Sequence, residues 1–505
     1  MSVVRTADAG ASGTGAATAI PEKRLSSEEV RQRAVGGAAV DVLRGLGSRI
    51  LGFFGTLVLA HLVTPSELGT VALGATFVIF GTFLADGGVG ATLIRRPDAV
   101  ERAELRALLG LQLAVSTTIA FAIAAAMLPF GTVGRATALI VMAVPLMAVR
   151  APAVILLERA LEYRQFAIVE FAEVICYYGL AIGLVLDGWG VWGLASASVL
   201  RALVGTVVLL SLTPAARMAP SLSLARVSPF LAFGFRYQAV GVTNLLRDQG
   251  VNAVVAIVGG VSALGVWSLA YRILQIPLLL FSSLWRVSFP GMARLVETEK
   301  DVGETIGRVV GVVAVVAGLI VVPLVAATPA WVPTLFGPQW TEVVPVIPPA
   351  CLHLMIFAPI SVAFVGYLWA EGEASAVLRA SLVGTPLMLA TVLLLMMAIG
   401  VPAVGFGWLA AGVGEATILI VSARKHTEFN IRAGLLPPTV VAFGAAAVGW
   451  VVTSAVGISL LGGLVGALFA VGVYLLILSL WHRSELLDTF HLSVRGLRHA
   501  LARST

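Results

Sequence analysis

The sequence predicts an all-α polytopic membrane protein of about fourteen transmembrane helices. It reads as two six-helix lobes related by a pseudo-two-fold axis along the membrane normal, with two further helices at the C-terminus. Three observations carry this. Apolar residues are 59% of the chain and charged residues only 12%, about half the usual globular share, so a soluble fold could not cover its surface. Stretches long enough to cross a bilayer recur almost to the last residues. A segment in the first third of the chain also returns, in the same orientation, 196 residues later.

Residues 1–33 are rich in Ala, Gly, Ser and Thr and end in a charged run, with no apolar core of the kind a cleaved signal needs. They read as a disordered cytosolic tail, in which Ser26 and Glu29 form a capping box that starts a lead-in helix. A hydrocarbon core about 30 Å thick takes roughly 20 residues of helix. Apolar segments that meet this length lie at 36–63, 68–94, 105–129, 136–157, 166–186 and 189–212, which assigns 34–228 to the N-lobe. Those at 230–258, 264–290, 306–327, 344–370, 378–400 and 403–423 assign 229–425 to the C-lobe. Two more, at 435–456 and 458–481, fill 426–482, and 483–505 reads as a basic amphipathic cytosolic tail on the anionic inner leaflet.

The net charge of +6 is spread between the spans and not gathered into a basic domain, which argues against a nucleic-acid partner. Loops on one side collect Arg95, Arg96, Arg102, Arg159, Arg164, Arg217, Arg226, Arg424 and Lys425, whereas those on the other side carry Arg135 alone. The positive-inside rule therefore places both termini in the cytosol of a multi-pass protein of the cytoplasmic (inner) membrane. Cys176 and Cys351 sit in separate spans and suggest neither a disulfide nor a metal site. No Walker A loop, HExxH or nucleophile elbow is present, so the chain does not read as an enzyme, and no cofactor is expected.

The repeat aligns Ala60, Ser66, Leu68, Gly69 and Leu73 with Ala256, Ser262, Leu264, Gly265 and Leu269. The constant offset equals six spans, so the two halves share one orientation.

At these residues the chain also resembles a known family. Gly47–Phe54, Leu59–Gly69 and Leu84–Ile94 look like the opening of the polysaccharide-transporter (Wzx-like) flippases of the multidrug/oligosaccharidyl-lipid/polysaccharide (MOP) superfamily. Gly259–Arg272 through Pro277, Phe289-Pro290 and Leu335–Trp340 resemble the family's second-half signature and its Phe-Gly-x-x-Trp element. The likeness covers about residues 36–375. It implies an alternating-access transporter moving a polyprenyl-pyrophosphate-linked oligosaccharide from the cytosolic to the outer leaflet for cell-surface polysaccharide biosynthesis. The implied partners are the lipid-linked glycan, membrane lipids, and the polymerase and glycosyltransferases of the pathway. The family often carries an Asp shortly before the second-half signature, where this chain has Asn252, with Asp248 one turn earlier. A cation-coupled exporter of drugs or metabolites on the same plan is the alternative.

A charge at mid-bilayer costs roughly 3 to more than 10 kcal/mol, so deep charges face a wet cavity or pair with one another. Arg247 and Asp248 lie near the middle of the seventh span, and Arg272 lies about 12 Å below the outer end of the eighth. Because the resemblance puts the first, second, seventh and eighth spans beside a cavity, Arg49, Arg247 and Arg272 are the candidates for a cationic site that holds the pyrophosphate. Asp86, Asp248 and Glu415 are the candidates to load a coupling proton or Na⁺, driven by the H⁺ or Na⁺ gradient or the membrane potential; the other reading makes them fixed counter-charges. For Arg44, Arg150, Arg286 and the Glu170/Glu173 pair the expectation is snorkelling or structural pairing. Trp189, Trp192, Trp331, Trp340, Trp450 and Trp481 fall at span ends as an aromatic belt, and Pro145 and Pro152 interrupt the fourth span.

Overall fold

The computed structural model describes residues 27–96, 98–298 and 302–481, which are helical almost throughout, with no strand among them. Ser26 of the expected capping box and the expected amphipathic tail at 483–505 lie outside the described residues.

The first helix, α1 (Ser27–Leu62), is followed by α2 (Pro65–Asp86), whose start is locally encoded. Thr64 is its cap: the Thr64 N–H donates to Glu67 Oε2 at 2.8 Å and the Glu67 N–H to Thr64 Oγ1 at 3.3 Å, with Pro65 fitting the first helical position. Gly87 and Gly88, at φ 57° and 71°, break the chain before the short α3 (Val89–Arg95). Next come α4 (Arg102–Met127), capped reciprocally by Glu101 and Glu104, and the fourth span as three pieces, α5 (Gly131–Val141), α6 (Ala143–Ala148) and α7 (Ala151–Ala160). Proline sets those breaks. Pro145 has no N–H for the Val141 carbonyl, where α5 ends, and Pro152 none for Ala148, where α6 ends.

The chain continues as α8 (Tyr163–Leu186), α9 (Val191–Leu212), α10 (Leu224–Val254), α11 (Gly260–Thr298) and α12 (Val302–Phe336). It closes with α13 (Ile347–Ala370), α14 (Ala374–Ile399), α15 (Pro402–Ala423), α16 (Arg432–Val456) and α17 (Leu460–Trp481).

Twelve segments among the described residues are long and apolar enough to cross a bilayer. Two are too long for a single crossing: Arg102–Ala148 has 47 residues and Gly241–Leu279 has 39, about 70 Å and 58 Å of helix against a core about 30 Å thick. Each folds back. A 3-10 turn at Leu128–Phe130 and Gly131, at φ 62°, return the chain so that α5 packs beside α4. A π turn at Val255–Gly259 and Gly260, at φ 81°, part α10 from α11. There the Trp267 Nε1–H donates to Asn252 Oδ1 at 3.0 Å; fifteen residues of unbroken helix would hold the two about 22 Å apart. Parted there, the twelve segments become fourteen among the described residues, the number expected from the sequence.

Two compact units emerge, one holding the described residues up to Thr56 and Gly74–Val242, the other Leu57–Leu73 and the chain from Thr243. In the first, Val89, Leu93, Leu105, Leu108, Ile155 and Val227 form a core cluster. Gly88 and Gly234 meet backbone to backbone there, where neither could carry a Cβ.

In the second unit α12 is the axis against which α13, α16 and α17 pack. The Tyr474 hydroxyl donates to the Val315 carbonyl at 3.2 Å over the notch left by Gly318, and Thr453 Oγ1 donates to the Ala326 carbonyl at 2.8 Å. These bonds hold the last two helices on this unit. The two copies of the repeat also meet here. A Cβ on Gly69 would run into the carbonyl of Val261, and a Cβ on Gly265 into the carbonyl of Pro65. Pro65 and Val261 are themselves 196 residues apart, so each copy offers the other the same glycine and the same carbonyl. This reciprocity is what a two-fold relation between the copies requires.

Trp340 corrects the belt assignment. It is fully buried, and its Nε1–H donates to the Ala60 carbonyl at 2.9 Å, beside Gln339 Nε2 at 2.8 Å. The Phe-Gly-x-x-Trp element therefore fastens the end of α1, whose last turn has no helical partner for that carbonyl.

Candidate functional site

The second unit encloses a cavity of about 450 Å³ between α10, α11, α13, α14 and α15. From α10 it takes Arg247, Asp248, Gln249 and Asn252, which occupy one and a half turns and so include positions that share a face. Glu415 enters from α15, only 3% exposed, and forms an ion pair with Arg247, whose side chain is 32% exposed. Gly384 on α14 makes the room for this: a Cβ there would lie 2.7 Å from the Glu415 carboxyl carbon.

The lining also carries an aromatic cluster. Trp267 and Tyr271, one turn apart on α11, have ring centroids 5.7 Å apart. Trp408 of α15 meets Trp267 edge to face at 5.5 Å and 84°, and Tyr271 at 6.0 Å and 89°. His353 and Phe357 on α13 stack at 5.3 Å, and His353 reaches Trp408 at 5.7 Å. Gly412 on α15 gives the imidazole its place, since a Cβ there would be 2.8 Å from His353 Cε1. Asn252 is held by this cluster: it accepts from Trp267 and donates Nδ2–H to Gln249 Oε1 at 3.1 Å. The arrangement brings flat apolar faces into one cavity with carboxylates, amides and a guanidinium.

Of the candidates named from sequence, Arg247, Asp248 and Glu415 are brought together here. Arg272 follows Tyr271 on α11, half-buried and outside the cavity lining. Arg49 lies on α1 in the first unit, with an exposed side chain. Asp86, also in the first unit, closes the end of α2: its carboxylate accepts the Gly88 N–H at 3.2 Å and Gln112 Nε2–H at 3.1 Å. Structural pairing appears where it was expected. Arg44 meets Glu170 at 3.0 Å, while Arg150 meets Glu173 at 2.6 Å and donates to Thr206 Oγ1 at 2.9 Å. Arg201 approaches the same Glu173 at 3.5 Å. The side chain of Arg286 lies outside the described residues.

The sequence reading missed the aromatic cluster. Its signal was available in the pairs Trp267/Tyr271 and His353/Phe357, each four apart and so on one helix face. They lie within their helices, away from the ends where a belt would put them.

The family model described as "Polysaccharide biosynthesis protein" matches residues 58–345, more than half of the chain. The chain belongs to this family. The matched polysaccharide biosynthesis region takes in both copies of the repeat and the α10 and α11 side of the cavity. Among relatives, the succinoglycan biosynthesis transport protein ExoT of Rhizobium meliloti (strain 1021) is 26% identical over 66% of this chain and 70% of its own length. The lipopolysaccharide biosynthesis protein WzxC of Escherichia coli (strain K12) is 23% identical over 64% and 67%. Among solved structures, the lipid II flippase MurJ in an inward closed conformation superposes with a TM-score of 0.64 at 13% identity, covering 88% of this chain and 99% of that one. An inward-facing multidrug resistance MATE transporter of the MOP superfamily gives 0.54 at 15%, over 75% and 94%. The resemblance to a polysaccharide family therefore holds, and this family member is a multi-pass membrane protein that shares the fold of these two solved structures.

Proposed function

We propose that the chain is an alternating-access flippase. It carries a polyprenyl-pyrophosphate-linked oligosaccharide from the cytosolic to the outer leaflet of the cytoplasmic membrane, with both termini cytosolic. The observation that carries this reading is the family match across both halves of the repeat, in a chain whose relatives include a named polysaccharide transport protein. Exposed Arg49 offers a guanidinium suited to a phosphate oxygen, and Arg272 is a second candidate contact. Asp248, Glu415 and Asp86 remain the carboxylates on which coupling to H⁺, Na⁺ or the membrane potential would act. One observation favours a second reading, a cation-coupled exporter: the cavity joins two carboxylates to an aromatic cluster, a combination that also suits an organic cation.

The test is a strain deleted for the gene. Flipping predicts that lipid-linked oligosaccharide accumulates on the cytosolic leaflet, inaccessible to an added impermeant sugar-modifying enzyme, and that the gene restores access. Normal sidedness in the deletion strain refutes the flippase and leaves the exporter.

A further inference from the structure

We propose that the second unit's cavity is a saccharide subsite, which takes a short neutral stretch of the glycan while the pyrophosphate stays outside it. The inference rests on the reading above that the cargo is a lipid-linked glycan, and it assigns one part of that cargo to one place.

Charge excludes the phosphate. Among the described residues Arg247 is the one guanidinium of the lining, and Glu415 already answers it. Asp248 adds a second carboxylate, so a pyrophosphate entering here would meet negative charge and no uncommitted guanidinium. A sugar meets the opposite situation. Its hydroxyls both donate and accept; the carboxylates accept charge-assisted bonds, and Gln249 and Ser361 can do either.

Shape and polarity agree. Tyr271, Phe357 and Trp408 are half-buried and line the chamber. An aromatic face is its negative side, and the axial C–H groups of a pyranose carry slight positive charge, so ring against ring is attractive as well as apolar. Carboxylates and amides interleaved with aromatic faces suit a molecule with flat apolar faces and a hydroxylated rim. The volume of about 450 Å³ lies in the range of small-molecule sites.

The experiment is saturation-transfer difference NMR on the purified full-length protein in detergent, with methyl glucopyranoside and methyl galactopyranoside as probes. The expected result is transfer to the ring C–H protons of at least one hexoside. Trp408→Leu should weaken that binding by about tenfold, the worth of one lost stacking face. Ser361→Phe, which keeps the aromatic cluster and fills the chamber, should abolish it. Inorganic pyrophosphate should not displace the sugar. The proposal is overturned if neither hexoside receives saturation, if binding is unchanged in both variants, if pyrophosphate competes, or if tetraphenylphosphonium binds in a Trp408-dependent way while the sugars do not. The leaflet assay separates this failure from that of the flippase reading. Wild-type glycan sidedness with Ser361→Phe overturns the subsite alone, whereas normal sidedness without the gene overturns the flippase.

Discussion

Removing either partner of the Arg247–Glu415 pair should destabilise the protein, but unequally, and the structure indicates by how much. In Arg247→Met the Glu415 carboxylate, 3% exposed, loses its counter-ion. Leaving a buried charge uncompensated costs about 3–5 kcal/mol, roughly two to three and a half decades in the folded fraction. In Glu415→Gln the group left behind is Arg247, whose side chain is 32% exposed to the cavity and adjoins Asp248. Solvation there should hold the loss to about 1–2 kcal/mol. The double variant contains no orphaned buried carboxylate, so it should be more stable than Arg247→Met alone, with a coupling of about 2–3 kcal/mol. Equilibrium unfolding of the four proteins in detergent, followed by fluorescence, measures the cycle. Additive losses, or a larger loss in Glu415→Gln than in Arg247→Met, would refute the reasoning. Glu415 as the loading site for a coupling proton makes a different forecast: Glu415→Gln folds as well as the wild type and does not transport.

Three further outcomes follow from the packing. Gly69→Leu or Gly265→Leu should each cost about 3 kcal/mol or more, because the obstructing atoms are backbone carbonyls that cannot rotate away; the double variant should cost less than the sum, read as melting temperature. Arg150→Met in the first unit should cost about 1–3 kcal/mol, because Glu173 loses its closer partner and keeps only Arg201, whereas Arg308→Met, whose exposed pair with Glu304 lies on the surface of α12, should cost less than about 0.5 kcal/mol. Thr64→Ala should lose about 1 kcal/mol through the α2 cap, and Thr64→Ser should restore most of it.

What could be read from the sequence follows the strength of local constraint. The spans, the proline breaks at Pro145 and Pro152, and the break at Gly260 are dictated by bilayer length and backbone chemistry, which act within a few residues. The repeat was legible because Gly69 and Gly265 must both lack a side chain for the copies to touch. Depth alone pointed to Arg247, Asp248 and Glu415, which the structure brings to one cavity, since the bilayer penalises such residues wherever they occur. The pairing of Arg247 with Glu415 was not legible: 168 positions separate them, and only the notch at Gly384 on a third helix lets them meet. Trp340 shows the same limit. A tryptophan at a span end looks like a belt residue until the carbonyl of Ala60, 280 residues away, is found to be its partner. The aromatic cluster escaped because apolar rings in apolar helices carry no anomaly in one dimension. Their meaning comes from convergence.

The most direct test of the central claim uses the purified protein in liposomes. Lipid-linked oligosaccharide extracted from the deletion strain is placed in the membrane, and an impermeant glycosidase outside reports how much of it becomes accessible over time. The flippase account predicts that protein-containing vesicles expose the protected pool well above protein-free vesicles, and that Ser361→Phe slows this. Equal exposure with and without the protein, under an imposed H⁺ gradient, Na⁺ gradient and membrane potential alike, would contradict it.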